Sequence, residues 1–285
     1  MDTSLNRRSF VKAAGAAAVA AAMASGQRKA QAGTFTGRIK KAVKFAMIGG
    51  ELSVLEKFQL VKDLGYDGVE PKFSQEVDHN EMLEASKATG IPIHGVVLGS
   101  ADGIRDAVDL ATFYGASSVL LVAGRVNEKM PYAENYKVTQ ARIAEAVPYA
   151  EEKKILLLVE NVWNNFLLSP LEMARYIDEL ASEWVGVYFD VGNVMRYGWP
   201  EHWVPVLGKR IKKLDIKEYS RKKQFDEGTW KGFNVEIGDG DIDWAAVRGE
   251  LDKIEYSGWA TAEVGGGGRE RLADIAARMN RVLDL

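Results

Sequence analysis

The chain has 285 residues, of which 47% are apolar and 27% are charged, and its formal net charge is −3. These values are ordinary for a soluble enzyme with one large core, and the slight acidity gives no electrostatic surface for nucleic acid or anionic membranes. Because the sequence has no cysteine and only three histidines, it excludes disulfides, thiol nucleophiles, iron–sulfur clusters and histidine-rich metal clusters.

The first 32 residues are predicted to be an export signal. Residues 6–12 (NRRSFVK) match the twin-arginine pattern, an Ala-rich apolar segment follows at 13–24, and 30–32 (AQA) is a small-residue cleavage site. We expect recognition by the twin-arginine export machinery, cleavage after Ala32 and a periplasmic or otherwise exported mature protein. The apolar segment is short and weakly hydrophobic, so stable membrane insertion is not expected. An Ala-rich amphipathic helix with a chance arginine pair is the alternative.

After a linker at 33–40, residues 41–285 alternate short apolar runs with amphipathic segments and show no composition shift that would divide them into domains. The apolar runs predict eight strands, at 43–48, 68–70, 93–98, 118–123, 155–160, 186–190, 211–216 and 260–264. The segments between them predict helices, at 52–64, 81–89, 103–114, 136–152, 170–180, 203–209, 243–254 and 269–283. This alternation predicts a single-domain α/β protein, a (β/α)8 TIM barrel. A doubly wound open sheet is the alternative, but the turn after the first strand lacks GxGxxG.

Four of the predicted strands end in an acidic residue. These residues are Glu160, Asp190, Asp215 and Glu263. Because the C-terminal ends of barrel strands converge, we expect the four carboxylates to face a common centre. Ionised carboxylates in a partly dry cavity need a cation, and an all-oxygen site suits Mn²⁺ or Mg²⁺. Each residue alone is better explained as a surface acid or a helix cap, whereas the four at equivalent positions favour a metal site.

Other residues near the strand ends are candidates for substrate binding. Glu70 ends the second strand, His94 lies in the third apolar run, and Trp163 and Lys217 follow the fifth and seventh strands. Each also has a structural explanation: barrel-mouth hydrogen bonding for Glu70, a core histidine for His94, rim packing for Trp163 and an ion pair for Lys217. The charged loop 220–241 is long for a barrel, and we expect it to cover or complete the site.

Six short motifs occur in a fixed order along the chain. They are GYDGVE at 65–70, EN at 160–161, FDVGN at 189–193, RIKKLDIK at 210–217, GDGDIDW at 238–244 and YSGWATAE at 256–263. With these motifs the chain resembles, over about residues 41–285, the xylose-isomerase-like barrel superfamily of sugar isomerases and epimerases. That superfamily includes tagatose/psicose 3-epimerase-like and inosose dehydratase-like enzymes. None of the motifs is diagnostic alone, and the resemblance rests on the ordered set.

The resemblance implies specific roles for four residues. Glu160, Asp190 and Glu263 fall on three of the family's four metal ligands. In the epimerase-like members the two glutamates also form the acid–base pair, one on each face of the sugar. Arg221 falls where those enzymes place a substrate-binding arginine.

The sequence departs from the family pattern at two positions. Asp215 replaces a histidine that the family usually has as a metal ligand, and Asn193 replaces another frequent histidine. Asp215 can still bind a hard cation. Asn193 cannot act as an acid or base, so it stays a candidate for substrate binding only.

These features predict a divalent-metal-dependent isomerase or epimerase that acts on a small-molecule carbohydrate. Because phosphorylated sugars are mainly cytoplasmic, export favours a non-phosphorylated substrate. One alternative is a metal-dependent lyase on 3-keto-glycosides, which would use the same carboxylates. Another is a non-catalytic sugar-binding barrel. The sequence leaves the oligomeric state open, a homo-oligomer included.

Overall fold

The computed structural model describes residues 33–285, so the predicted export signal lies outside the described residues. The strands are β1 (Ile39–Lys44), β2 (Gly68–Glu70), β3 (Val96–Val97), β4 (Ser118–Leu121), β5 (Leu156–Glu160), β6 (Val185–Asp190), β7 (Ile211–Ile216) and β8 (Gly258–Ala262). The helices are α1 (Val54–Asp63), α2 (His79–Thr89), α3 (Ile104–Tyr114), α4 (Tyr132–Lys153), α5 (Pro170–Asp178), α6 (Val191–Val194), α7 (Pro200–Leu207), α8 (Arg221–Glu227), α9 (Trp244–Lys253) and α10 (Arg269–Leu283). Within residues 33–285, no helix has the length and apolar character needed to cross a membrane.

The strands form one parallel sheet that nearly closes into a barrel. Hydrogen-bonded neighbours follow the order β2–β1–β8–β7–β6–β5–β4–β3. The two end strands are linked by isolated parallel bridges, Val69 with Ile93 and Lys72 with Val97. Because the strands are parallel, their C-terminal ends all lie at the same end of the barrel. The predicted TIM barrel is therefore confirmed, and the open doubly wound alternative is wrong.

Helices pack around the strands because each presents an apolar stripe to the sheet. In α1, Ser53 and Glu56 form a capping box, with N–H to side-chain oxygen distances of 2.8 and 3.3 Å. The side chains of Phe58 and Val61 on this helix are fully buried. Gly65 follows with a φ of +72°, which allows the chain to leave the helix and enter β2. The main apolar core lies between this helical layer and the outer face of the strands.

The third strand is shorter than the sequence predicts. β3 contains only Val96–Val97, and His94 lies before it. Pro92 has no N–H to donate, so pairing in this region is reduced. The His94 N–H still donates to the Val69 carbonyl at 3.1 Å, which keeps the histidine at the barrel wall.

Two other boundaries also differ from the sequence-based expectation. Phe35 is buried and β1 begins at Ile39, both within the stretch 33–40 that was predicted as a linker. The predicted loop 220–241 contains α8 and a 3₁₀ turn, Thr229–Phe233. The Ser220 hydroxyl caps the start of this helix by accepting the Lys223 N–H at 3.3 Å.

Candidate active site

Four acidic side chains meet at the C-terminal end of the barrel. Glu160 ends β5, Asp190 ends β6, Asp215 is the penultimate residue of β7 and Glu263 directly follows β8. The β6–β7 register pairs Asp190 with Asp215. One carboxylate oxygen from each of the four residues lies within 4.8 Å of such an oxygen from every other. We call these four residues the carboxylate cage; the structure brings together all four predicted metal ligands.

The carboxylate cage has the dimensions and donor atoms for one divalent cation. Oxygen ligands lie about 2.0–2.6 Å from Mg²⁺ or Ca²⁺, so ligands on opposite sides of such an ion are roughly 4–5 Å apart. The four carboxylates lie close together, and Asp190 and Asp215 are fully buried. Ionised carboxylates packed this closely in a buried site repel one another unless cations balance their charge. The residues present therefore fit a hard metal ion.

Two lysines neutralise part of the negative charge of the cage. Lys217 Nζ lies 2.8 Å from Asp190 Oδ2 and 2.5 Å from Glu263 Oε2. Lys44 Nζ lies 2.8 Å from Asp215 Oδ1, but it also contacts another carboxylate. The carboxylates still outnumber the ammonium groups, and Glu160 makes no ion pair among the described residues. The predicted ion pair of Lys217 is confirmed, and the cage keeps an excess of negative charge.

The electrostatic surroundings shift the pKa values of the two cage glutamates in opposite directions. Burial raises the pKa of Glu160 well above its usual value, and the neighbouring carboxylates, Glu263 first, raise it further. Burial acts in the same direction on Glu263. There, however, the ammonium groups of Lys217 and Lys44 outweigh burial, and the pKa of Glu263 is lowered. The cage thus holds one carboxyl group that favours the protonated form and one that favours the ionised form.

Two asparagines orient the carboxylate cage. The Asp190 N–H donates to Asn161 Oδ1 at 2.9 Å, and Asn161 Nδ2 donates back to the Asp190 carbonyl at 2.8 Å. The Asn193 N–H donates to Asp190 Oδ1 at 2.8 Å, and its amide Nδ2 is 3.4 Å from Glu160 Oε1. Asn193, predicted to bind substrate, therefore lies beside the cage and holds two of its members.

A second set of polar side chains lies inside the barrel, next to the cage. Side chains two positions apart on a strand share a face. Tyr188, Lys213 and Thr261 each precede a cage residue by two positions and therefore point into the barrel on the N-terminal side of the cage. We call this set the inner layer, and its members are Lys44, Glu70, His94, Tyr188, Lys213 and Thr261.

Hydrogen bonds connect the inner layer continuously. Lys44 Nζ donates to Glu70 Oε2 at 2.6 Å, and the Tyr188 hydroxyl donates to the same oxygen at 3.0 Å. Tyr188 OH lies 2.9 Å from Thr261 Oγ1, which is 3.2 Å from His94 Nε2. All of these side chains are buried. The inner layer is thus a polar network that satisfies most of its own donors and acceptors.

His94 and Lys213 form a buried pair of bases in the inner layer. Lys213 Nζ is 2.9 Å from His94 Nδ1 and donates to the His94 carbonyl at 2.6 Å. The Trp259 ring stacks on the imidazole with centroids 4.3 Å apart. Burial lowers the pKa of Lys213 to about 7, and burial together with Lys213 holds the pKa of His94 well below 6.5. The surroundings thus favour a neutral imidazole at His94, and they weaken the preference of Lys213 for its ammonium form.

The predicted substrate-binding residues fall into two groups. Trp163, Asn193 and Lys217 line the cavity above the cage. Glu70 and His94 belong to the inner layer and do not line that cavity.

Arg221 also lies outside the cavity lining. Its guanidinium donates to the carbonyls of Met195, at 3.1 Å, and Gly198, at 2.6 Å, and it lies 4.3 Å from the ring centroid of Trp199. Its role in substrate binding stays a prediction.

The cavity at the barrel mouth has a volume of about 1140 Å³. Glu160 and Glu263 line it, together with residues from the loops after β3, β4, β5, β7 and β8. Trp230 and Phe233, in the long loop after β7, form part of its wall and were not recognised in the sequence. Two aromatic residues within four positions of a loop otherwise rich in charge were the available signal.

Glu218 holds the long loop after β7 in place. Its Oε2 accepts the Gly238 N–H and the Trp244 Nε1–H, both at 2.8 Å, and its Oε1 accepts the Tyr219 N–H at 3.1 Å. Burial raises the pKa of Glu218, and these donors oppose that shift. Glu218 does not stand out in the sequence, although its position three residues after a cage carboxylate places it at this end of the barrel.

Several solved structures are similar to this chain in fold. A D-allulose 3-epimerase from Methylomonas sp. in complex with D-allulose has a TM-score of 0.70 at 17% identity, covering 86% of this chain and 96% of that one. A 3-keto-D-glucoside 4-epimerase from E. coli has a TM-score of 0.70 at 14% identity, with 86% and 98% covered. An L-ribulose 3-epimerase has a TM-score of 0.71 at 14% identity, with 86% and 94% covered.

Sequence comparison gives the family. A search of curated proteins finds no match. The model of the xylose isomerase-like TIM barrel family matches residues 58–283, which include seven of the eight strands and all four members of the carboxylate cage. The chain therefore belongs to the xylose isomerase-like TIM barrel family.

Proposed function

We propose that this protein is a divalent-cation-dependent sugar epimerase or isomerase. One observation carries the proposal: Glu160 and Glu263 belong to the carboxylate cage and also line the cavity, so a bound sugar would reach both carboxyl groups. A structural acidic cluster has no need to open onto a cavity of about 1140 Å³. The fold neighbours include three sugar epimerases, which is consistent with this chemistry.

In the proposed reaction the two glutamates move protons. A divalent ion bound in the cage would polarise a carbonyl and an adjacent hydroxyl of the sugar and so acidify the neighbouring C–H. Glu263, which contacts Lys217 Nζ at 2.5 Å, removes this proton from one face of the sugar. Glu160, which lies 3.4 Å from Asn193 Nδ2, returns a proton to the opposite face. The stereocentre is thereby inverted.

Neighbouring groups support this proton transfer. Asn193 Nδ2 keeps Glu160 oriented, and Lys217 Nζ lies where it can donate to a substrate oxygen. Manganese and magnesium are the expected ions because every donor in the cage is a carboxylate oxygen.

A non-phosphorylated substrate and export to the periplasm are part of the proposal. They rest on the twin-arginine pattern at 6–12 and on the cytoplasmic confinement of sugar phosphates. Replacing Arg7 and Arg8 with lysine should leave the uncleaved protein in the cytoplasm. Cell fractionation with mass spectrometry of the mature N-terminus measures this, and a periplasmic protein that begins near Gly33 despite the double substitution would contradict export by this route.

A substrate panel tests the proposed reaction. The purified protein, loaded with Mn²⁺, Mg²⁺ or treated with EDTA, is incubated with free ketoses and with 3-keto-glucosides, and products are identified by NMR. We expect metal-dependent formation of an epimer or isomer. Release of the aglycone without an epimer would favour the lyase. A protein that binds sugar but no metal, and whose melting temperature does not rise with Mn²⁺, would favour a non-catalytic sugar-binding barrel.

A further inference from the structure

The cavity has an aromatic wall beside its acidic groups, formed by Trp163, Trp230 and Phe233. Trp230 lines the cavity and its side chain is 69% exposed. Its ring lies 4.7 Å from the ring of Trp163 and 6.3 Å from the ring of Phe233, and both of these also line the cavity. Glu160 and Glu263 form the acidic part of the same cavity. The aromatic wall can contact an apolar face of a ligand, whereas the acidic part can contact a cation or hydroxyl groups.

The aromatic wall is held in place before any ligand binds. Trp163 Nε1 donates to the Asn193 carbonyl at 2.9 Å, and the Arg196 guanidinium lies 4.8 Å from the Trp163 ring centroid. Phe233 packs on Trp163 with centroids 4.7 Å apart. Trp230 therefore presents its exposed surface from a fixed support. An ordered, solvent-exposed tryptophan in a cavity is typical of a binding surface for a flat apolar face.

The cavity is larger than one sugar ring requires. Pockets for drug-sized ligands have volumes of about 300–1000 Å³, and this cavity, at about 1140 Å³, lies above that range. Its rim adds charged pairs, Arg142 with Asp102 at 2.8 Å and Arg271 with Glu236 at 2.6 Å. These groups add hydrogen-bonding partners to the cavity besides the carboxylate cage.

We propose that the cavity binds a two-ring keto-glycoside, with a sugar ring at the carboxylate cage and a second ring against Trp230. The inference rests on the proposed epimerase function and names its substrate class. In this substrate the bond to the second ring is formed at the anomeric carbon of the reacting sugar, which therefore has no anomeric carbonyl. Proton transfer next to a carbonyl then requires a ketone elsewhere in the reacting ring. The second ring is an aryl group or another sugar, because both present a flat apolar face to the indole.

Binding of unreactive glycosides tests this subsite without requiring turnover. Methyl β-D-glucoside, phenyl β-D-glucoside and cellobiose, with their α-linked counterparts, are titrated into the Mn²⁺-loaded full chain by calorimetry. The variants are Trp230→Ala, Trp230→Phe and Phe225→Ala. Phe225 is the matched control, because it lies in the same loop, is 81% exposed and does not line the cavity.

We expect the two-ring ligands to bind about tenfold more tightly than the methyl glycosides, a difference equivalent to about 1.4 kcal/mol. The preference should persist in Phe225→Ala and Trp230→Phe and disappear in Trp230→Ala. A stronger preference for the phenyl glycosides identifies an aryl group as the second ring, and a stronger preference for the disaccharides identifies a sugar.

Three results would overturn the subsite: equal affinity of the wild type for one-ring and two-ring ligands, an unchanged preference in Trp230→Ala, or no glycoside binding at all. The proposed function fails separately. If the protein shows the Trp230-dependent preference but epimerises no keto-sugar, the subsite is supported and the proposed reaction is wrong. If it converts free ketoses without that preference, the proposed reaction is supported and the subsite is wrong.

Discussion

The carboxylate cage and the inner layer lie in the same barrel and share strands β6, β7 and β8, yet their charges are balanced to different degrees. In the inner layer, the lysines and hydroxyls contact nearly every acidic or basic group, and the network is closed by hydrogen bonds. In the cage, four carboxylates face only two ammonium groups, and one of these, Lys44, is shared with Glu70 of the inner layer. The difference teaches that the inner layer serves the fold, whereas the cage has an incomplete set of charges that a ligand completes.

Substitution of the cage glutamates should have the largest effect. Glu160→Gln and Glu263→Gln remove the groups that transfer the proton, so we expect each to lower kcat by about a thousandfold or more. Asp178→Asn breaks an exposed ion pair with Arg210 outside the cavity and should change kcat by less than about twofold. Steady-state kinetics with matched circular dichroism spectra measure this. Near-normal turnover by either glutamine variant would refute the acid–base assignment.

Loss of Lys44 should leave buried carboxylates without an ammonium partner in the inner layer as well as in the cage. Lys44→Met leaves Glu70 and Asp215 as buried carboxylates without their shared ammonium partner, which should cost about 3–5 kcal/mol of the free energy of unfolding. Lys209→Met removes an exposed pair with Glu255 and should cost less than about 1 kcal/mol. Urea unfolding of the two variants measures the contrast. Equal losses would show that the inner layer does not depend on this ion pair.

Removal of one cage carboxylate should weaken the binding of the cation that we expect in the cage. Groups that only orient metal ligands typically contribute 10–100-fold to metal affinity, so Asp190→Asn, which alters a ligand itself, should weaken Mn²⁺ binding by about 100-fold or more. Asp252→Asn, at an exposed pair with Arg38, is the control and should bind Mn²⁺ like the wild type. Calorimetric titration with Mn²⁺ measures both affinities. Unchanged affinity in Asp190→Asn would place the cation elsewhere.

The titration of His94 in the inner layer should produce the smallest effect, a loss of stability in acid. Burial and the ammonium groups of Lys213 and Lys44 keep the pKa of His94 well below 6.5 in the folded chain. Below pH 6.5 the His94 imidazole is therefore protonated in the unfolded chain but stays neutral in the folded chain. The free energy of unfolding therefore decreases as the pH is lowered, by at most about 1.4 kcal/mol per pH unit. Between pH 7 and 5, His94→Gln should lose less stability than the wild type in urea unfolding; parallel curves would contradict the assignment.

Much of the fold follows from local patterns in the sequence. The uninterrupted apolar run before Glu160 predicts a buried parallel strand, and β5 covers Leu156–Glu160. β3 was overestimated because apolar character alone does not reveal which N–H groups find a partner on the adjacent strand. α8 was missed because a charged surface helix has little apolar periodicity.

The carboxylates of the site and Lys217 were predictable from the sequence, whereas the other two lysines were not. The four cage carboxylates follow from their common position at strand ends. Lys44 and Lys213 were overlooked because a lysine in a strand is normally read as a solvent-facing residue, and only the barrel closure brings Lys44 to Asp215, 171 positions away. The two-residue spacing between Lys213 and Asp215 was the available signal, since it places both on one face. Exposure of Trp230 likewise depends on how its loop folds.

The most direct test of the central claim is proton exchange with solvent. The Mn²⁺-loaded protein is incubated in D₂O with a keto-sugar from the substrate panel, and deuterium is located by NMR. We predict incorporation at the carbon next to the carbonyl, together with inversion at that carbon, and loss of both in Glu263→Gln and after EDTA treatment. Inversion without deuterium, or exchange that persists in Glu263→Gln, would contradict carboxylate-mediated proton transfer at the cage.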